Sequence, residues 1–287
     1  MHMRIRIWVA TALITSGLWA TWLAPANASI EALFAPSKDL WPRWTTHDER
    51  SRQVVDHSAF DRLLGRYLSL DSTGVARFAY GRVTPDDRAA LRGYLNALAA
   101  IRVSGLSRQE QLAFWINLYN ALTIDIVLAH YPVRSILDID ISPGLFARGP
   151  WDKSLIQVEG EALTLNDIEH RILRPIWNDP RIHYAVNCAS VSCPNLQNRA
   201  FTGATVERML DSAARAYINN RRGARIEGGQ LIVSSIYDWY QEDFGGSERG
   251  VVAHLRSYAE PTLAAALVGA RIDHYAYDWS LNDIADR

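Results

Sequence analysis

Apolar residues along the chain fall into two regimes. In the first half they recur every three or four positions, the spacing of a helix with one buried face. The stretch "AFDRLLGRYLSL" places them at 60, 63, 64, 67, 68 and 70. In "TPDDRAALRGYLNALAAI", Thr84 supplies a cap, Pro85 the first helical position and two acids the first turn. "SRQEQLAFWINLYNALTIDIVLAHYP" opens on Ser107 with Glu110 three residues on, a capping-box pattern, and stops before Pro132. From Ala113 to Leu128 it is apolar almost all round, which predicts a buried central helix.

In the second half the period shortens. "LIQVEGEALTL" alternates about Glu159-Gly160 and "ARIEGGQLIVSS" about Gly228-Gly229, so each predicts a hairpin. "RIHYAV" predicts a short strand continuing through residues 182–188, and "RIDHYAYDW" predicts another near the end. Helices are expected between them at about 165–176, 203–220, 235–243 and 248–258. A helix-rich first half, then a small, mainly antiparallel sheet with interspersed helices, defines an α+β class.

Three of these helices carry polar side chains where core is expected. Glu169 falls inside the stripe of Leu165, Ile168, Ile172, Leu173 and Ile176, with His170 at its rim. Asp243 falls among Ile236, Trp239, Tyr240 and Phe244. Asn117 and Asn120, three apart, share a face of the central helix. A buried carboxylate pairs, accepts several hydrogen bonds or raises its pKa. One reading is structural: each acid satisfies an Arg, a Trp N–H or a backbone amide. The other is a polar pocket lined by Asn117 and Asn120, onto which Glu169 and Asp243 converge and which a cysteine enters.

That cysteine comes from "HYAVNCASVSCPNL", which holds Cys188 and Cys193, the only two in the chain. The pair allows a disulfide closing a small loop, a thiol nucleophile or two ligands of a metal completed by a His or Glu. In a strand over 182–188, His183, Ala185 and Asn187 face one way, and Tyr184, Val186 and Cys188 the other. That phase separates His183 from Cys188 and nominates His170 as the base, ahead of His130 and His274. Cys188 ends an apolar segment with small residues after it, whereas Cys193 precedes Pro194 in a looser loop. Cys188 is therefore the expected bearer of any chemistry.

The compartment bears on the disulfide. Arg4 and Arg6, an apolar run from Ile7 to about Leu23, and Ala26-Asn27-Ala28 make the pattern of a signal peptide over residues 1–28, cleaved before Ser29. No later segment reads as a membrane span, and a periplasmic or secreted protein is expected. Residues 29–58 read as an N-terminal extension, and 59–287 as a single domain. The net charge is -1 with no basic stripe, so a nucleic-acid partner is not expected. There is no G-x-S-x-G elbow, no H-E-x-x-H and no P-loop, and no cofactor is expected.

The blocks "AFWINLYNALTI", "LNDIEHRIL", "DPRIHYAVNCASVSCP", "SSIYDWYQEDFG" and "YAYDWSLND" occur in this order. Together, from about Phe60 to Asp283, they resemble the family called domain of unknown function 547. The resemblance implies secreted bacterial relatives and domains within plant proteins. The plant setting is largely reducing, which favours a thiol over a mere staple. It brings no assigned catalytic residues.

The leading expectation is a thiol-dependent hydrolase or acyl transferase, papain-like in chemistry, acting on a peptide-like or thioester-like bond or another small molecule in the cell envelope. Cys188 would be the nucleophile and His170 its base, with Asn117 or Glu169 orienting the base. Asn120, His183, Cys193, Trp239 and Asp243 would line the binding site. The alternative is a non-enzymatic envelope protein that binds a ligand or partner and is stapled by a Cys188–Cys193 disulfide. A metal at the cysteine loop is the third reading.

Overall fold

The computed structural model describes residues 35–143 and 149–284. The expected signal peptide lies outside the described residues. Eight α-helices among the described residues, with short separate sheets, make an α+β fold.

The centre is helix α3, Arg108–His130, flanked by α1 (Ser58–Tyr67) and α2 (Pro85–Ala99). All residues of α3 from Glu110 to Ile124 are buried, as its uninterrupted apolar character requires. By length and composition α3 could cross a membrane, contrary to the reading of the sequence, but 89% of its most apolar stretch is enclosed by the fold. Its apolar surface is thus already used as core. Ser107 caps it as expected, its hydroxyl accepting from the Glu110 N–H. The Glu110 carboxylate accepts instead from the Val55 N–H at 2.7 Å and the Gly203 N–H at 2.9 Å. It therefore ties two distant segments to the helix start.

Leu68 and Leu70, placed by their spacing in the first helix, belong to strand β1 (Leu68–Leu70), which pairs antiparallel with β2 (Ala76–Phe78). Both expected hairpins form: β3 (Ile156–Val158) with β4 (Glu161–Leu163), and β5 (Ala224–Glu227) with β6 (Gln230–Ser234). Strand β7 (His274–Ala276) joins β6 in parallel, so the strand pairs are mainly, not wholly, antiparallel.

Two apolar clusters result. One surrounds α3. The other packs α5 (Val206–Ile218), the short α6 (Ile236–Trp239), α7 (Glu248–Tyr258) and β5–β7. The last helix, α8 (Pro261–Ala266), went unpredicted because its six residues bury no side chain and leave no periodic stripe.

Two further departures shape the site. Residues 167–173 form a π-helix, continued by α4 (Arg174–Trp177). Such π turns are rare and occur often at functional sites. Residues 180–184 are a 3-10 helix, not a strand. Asp179 caps it, its carboxylate accepting from the Arg181 N–H at 2.8 Å, and Pro180 starts it. Every residue from Ile182 to Asn187 is buried, so the apparent alternation has no solvent face to record.

Candidate active site

The π-helix carries Glu169 and His170, both buried. Its i→i+5 winding turns successive side chains through a smaller angle than an α-helix does, so the two neighbours both face inward. His170, expected at a rim, is only 4% exposed. Outside, the N-terminal extension crosses this turn. The Asp39 and Trp41 N–H groups donate to the His170 and Arg171 carbonyls at 3.1 and 3.0 Å.

The charges inside are tightly organised. The Arg174 guanidinium donates to Asp243 Oδ2 at 2.6 Å, Glu242 Oε1 at 2.9 Å, the Pro36 carbonyl at 2.8 Å and His170 Nδ1 at 2.9 Å. Asp243 also pairs with Lys38 Nζ at 2.9 Å and His183 Nε2 at 2.7 Å. These donors hold its carboxyl far below the usual range despite burial. Asp243 thus satisfies an arginine, as the structural reading of the sequence expects, and also meets His183.

The tautomers follow from the partners. An arginine can only donate, so His170 Nδ1 accepts and its remaining proton is on Nε2, 4.0 Å from Glu169 Oε2. His183 donates from Nε2 to Asp243, which leaves Nδ1 as an acceptor 3.8 Å from Glu169 Oε1. Burial, then the Arg174 charge, pushes His170 well below its ordinary pKa. Burial lowers His183 as well, against the pull of Asp243. Both shifts favour the neutral ring. Glu169 lies between them, 7% exposed, and desolvation raises its carboxyl to about 7 against the pull of Arg174 and the Tyr119 hydroxyl. It therefore titrates near neutral pH, protonated below about 7 and ionised above, and faces an acceptor.

Cys188 follows on the loop beyond the 3-10 helix. Ala189 next to it has φ 60°, a left-handed conformation uncommon for a residue with a Cβ, and its N–H donates to Asn187 Oδ1 at 2.8 Å. Cys188 is half-buried, and its sulfur lies 2.8 Å from Cys193 Sγ, 3.2 Å from the Tyr277 hydroxyl and 3.3 Å from the Ser190 hydroxyl. Both cysteines are free thiols. Hydrogen bonds from Cys193, Ser190 and Tyr277 outweigh desolvation and bring the Cys188 thiol down to about 7. Burial and the neighbouring Cys188 push Cys193 well up.

The loop is held from both sides. The Val191 and Ser192 N–H groups donate to the Ser280 and Asp278 carbonyls at 2.8 and 3.1 Å, so the C-terminal segment lines the loop. Arg222 Nη1 donates to the Val191 and Cys193 carbonyls, each at 2.8 Å.

These positions correct several sequence expectations. His170 gives its free nitrogen to Arg174 and is not a hydrogen-bond partner of Cys188. His183 is not excluded by a strand, because there is no strand. Asn117 does not orient a base: its amide donates to the Phe201 carbonyl at 2.8 Å and accepts from the Phe201 N–H at 3.0 Å. Asn120 pairs likewise with the Ala185 carbonyl and the Asn187 N–H, at 2.9 and 2.8 Å. Both asparagines fasten α3 to the chain around the cysteine loop instead of lining a pocket. Trp239 stacks against Trp279 and packs on Tyr277, with centroids 5.5 and 4.7 Å apart. An open depression of about 650 Å³, lined by Arg134, Asp138, Asp140 and Trp279 among others, borders this wall without including Cys188. Among the described residues, no three His, Cys, Asp or Glu are placed to hold a metal ion.

Sequence reading missed Tyr277, Ser190, Tyr119, Arg174 and Arg222. Only Arg174 carried a local signal, one helical turn beyond His170. Tyr277 and Arg222 lie tens of residues from the loop they support.

The chain is thus an α+β protein whose central helix, π turn and cysteine loop build one buried site. The family model described as "Protein of unknown function, DUF547" matches residues 103–218. The match takes in Glu169, His170, His183 and both cysteines, but neither Asp243 nor Tyr277. It is narrower than the resemblance from Phe60 to Asp283. No curated protein and no solved structure matches the chain.

Proposed function

We propose that this protein is a thiol-dependent hydrolase or acyl transferase of the cell envelope, with Cys188 as nucleophile and Glu169 as the proton carrier. One observation carries the reading: the sulfur of the half-buried Cys188 lies within hydrogen-bond distance of the Cys193 sulfur and the Ser190 and Tyr277 hydroxyls, within electrostatic reach of a buried Glu169. An envelope setting is supported by the Arg4/Arg6 front and the Ala26-Asn27-Ala28 site.

In this scheme the Cys188 thiolate attacks a peptide-like or thioester-like carbonyl carbon and forms the carbon–sulfur bond. The Tyr277 and Ser190 hydroxyls, released from the sulfur, donate to the developing oxyanion. Glu169 protonates the departing amine or thiol as its bond to carbon breaks. The resulting carboxylate then takes a proton from the water that attacks the acyl-enzyme, and Cys188 leaves as thiolate. Asp243 fixes the His183 tautomer so that Nδ1 faces Glu169. Asp243 and His183 are positioning residues.

The test is hydrolysis of a simple acyl thioester, with trapping of the acyl-enzyme by mass spectrometry. The acyl group is expected on Cys188, with loss of turnover in Cys188→Ser and a fall of about 10²–10⁴-fold in Glu169→Gln, the usual worth of a general acid–base. Glu169→Gln at full rate would remove Glu169 from the scheme. Wild-type protein that alkylates at Cys188 but never acylates would reject acyl transfer.

A further inference from the structure

The two sulfurs are placed for a reaction that acyl transfer does not use. They touch at 2.8 Å without being bonded. A disulfide needs about 2.05 Å, so closure requires a shift of under about 1 Å. The intervening loop is anchored at Val191, Ser192 and Cys193 by Ser280, Asp278 and Arg222, which keeps Cys193 beside its partner. The two residues also differ in burial: Cys188 is half-buried, whereas Cys193 is 5% exposed. The less enclosed Cys188 is therefore assigned the first attack and Cys193 the second. The Cys188 backbone N–H donates to Cys193 Sγ at 2.8 Å and is placed to support negative charge on the inner sulfur as it reacts.

We propose that Cys188 and Cys193 form a reversible dithiol–disulfide couple that reduces accessible low-molecular-weight disulfides of the glutathione class. The Cys188 thiolate attacks one sulfur of the substrate disulfide. The bond between the substrate's sulfurs breaks, and one half leaves as a thiolate that takes a proton from water. Cys193 then gives up its proton to solvent and attacks the Cys188 sulfur of the mixed disulfide. The second half leaves and is protonated in turn. Two electrons have passed to the substrate, which becomes two thiols, and the protein holds a Cys188–Cys193 bond. A dithiol reductant restores the starting state. While the bond exists Cys188 cannot attack a carbonyl, so the couple also switches the acyl chemistry proposed above. The inference shares with that reading only the nucleophilic role of Cys188.

The experiment treats the reduced full-length protein with oxidised glutathione, quenches in acid, alkylates and measures intact mass and peptide masses. Wild type is expected to lose about 2 Da, resist alkylation and retain no glutathione adduct. Cys193→Ser is expected to keep one glutathione on Cys188, and Cys193→Ala repeats the test should the serine variant fail to fold. Cys188→Ser is expected to react more than about 10-fold more slowly, because the remaining thiol is buried and less acidic. A stable glutathione adduct in wild type, or an adduct on Cys193, overturns the couple. So does protein that stays fully alkylatable after treatment. Normal alkylation of Cys188 in those cases leaves the nucleophile reading standing, whereas failure of both reactions removes the two together.

Discussion

Replacing Glu169 by glutamine removes the proton that Glu169 holds in the fold and should flatten the dependence of stability on pH. In the folded protein the carboxyl titrates at about 7, against 4.5 for an ordinary glutamate. Below pH 4.5 both states are protonated and nothing is lost. From 4.5 to 7 the unfolded chain ionises while the folded chain does not. Stability contributed by this group therefore falls as pH rises and is gone above the folded value. At about 1.36 kcal/mol per pH unit, the interval amounts to roughly 3 kcal/mol. That is a large share of a typical stability of about 5–15 kcal/mol. Glutamine keeps the shape and carries no charge. Urea unfolding of both proteins at pH 4.5, 6 and 7.5, at constant ionic strength, measures the difference. Glu169→Gln should gain on wild type by roughly 3 kcal/mol across that range. Cys188, at about 7, titrates within this range in both proteins, so the difference between them is read and not either curve alone. Glu169→Ala should be less stable than Glu169→Gln throughout, since it leaves a cavity facing Tyr119 and His183. Parallel curves for wild type and Glu169→Gln would mean that Glu169 titrates like an unfolded residue, and the account of the site would fail.

Alkylation of Cys188 by iodoacetamide should rise with pH about a midpoint near 7, against the ordinary 9.0, and Tyr277→Phe should move the midpoint upward by removing a donor; stopped-flow rates or quenched mass spectra follow this. Arg174→Met should cost about 3–5 kcal/mol, read by urea unfolding, because it leaves the buried Asp243 with less countercharge. Gly203→Ala should cost about 1–3 kcal/mol in the same assay, since the added Cβ would collide with the Glu110 carboxylate and approach its backbone nitrogen to 3.1 Å. Arg222→Gln should loosen the cysteine loop, seen as faster alkylation of Cys193 at fixed pH, because two carbonyls lose their charged donor.

Much of the fold was legible in the chain because it rests on local rules. Thr84 with Pro85, and Ser107, start α2 and α3 through contacts within one turn. Glu159-Gly160 and Gly228-Gly229 turn the two hairpins through positive φ. Glu169 revealed itself as a charge inside an apolar stripe, and the cysteines by their spacing. What the chain did not disclose was settled by distance and by total burial. A segment buried on every side, such as residues 182–187, shows no polar phase, so a 3-10 turn passed for a strand. The π turn at residues 167–173 changes the angular step by an amount that a helical reading cannot register. Asn117 and Asn120 looked like pocket lining because their backbone partners, Phe201 and Ala185, lie more than 60 residues away. The partners that set the chemistry are equally remote. Tyr277 reaches Cys188 across 89 positions and Asp243 reaches His183 across 60. Periodicity records which face of an element is buried, because neighbouring residues share that element's geometry. It carries no record of which distant group completes a hydrogen bond or shifts a pKa, since those partners meet only when the core closes around α3.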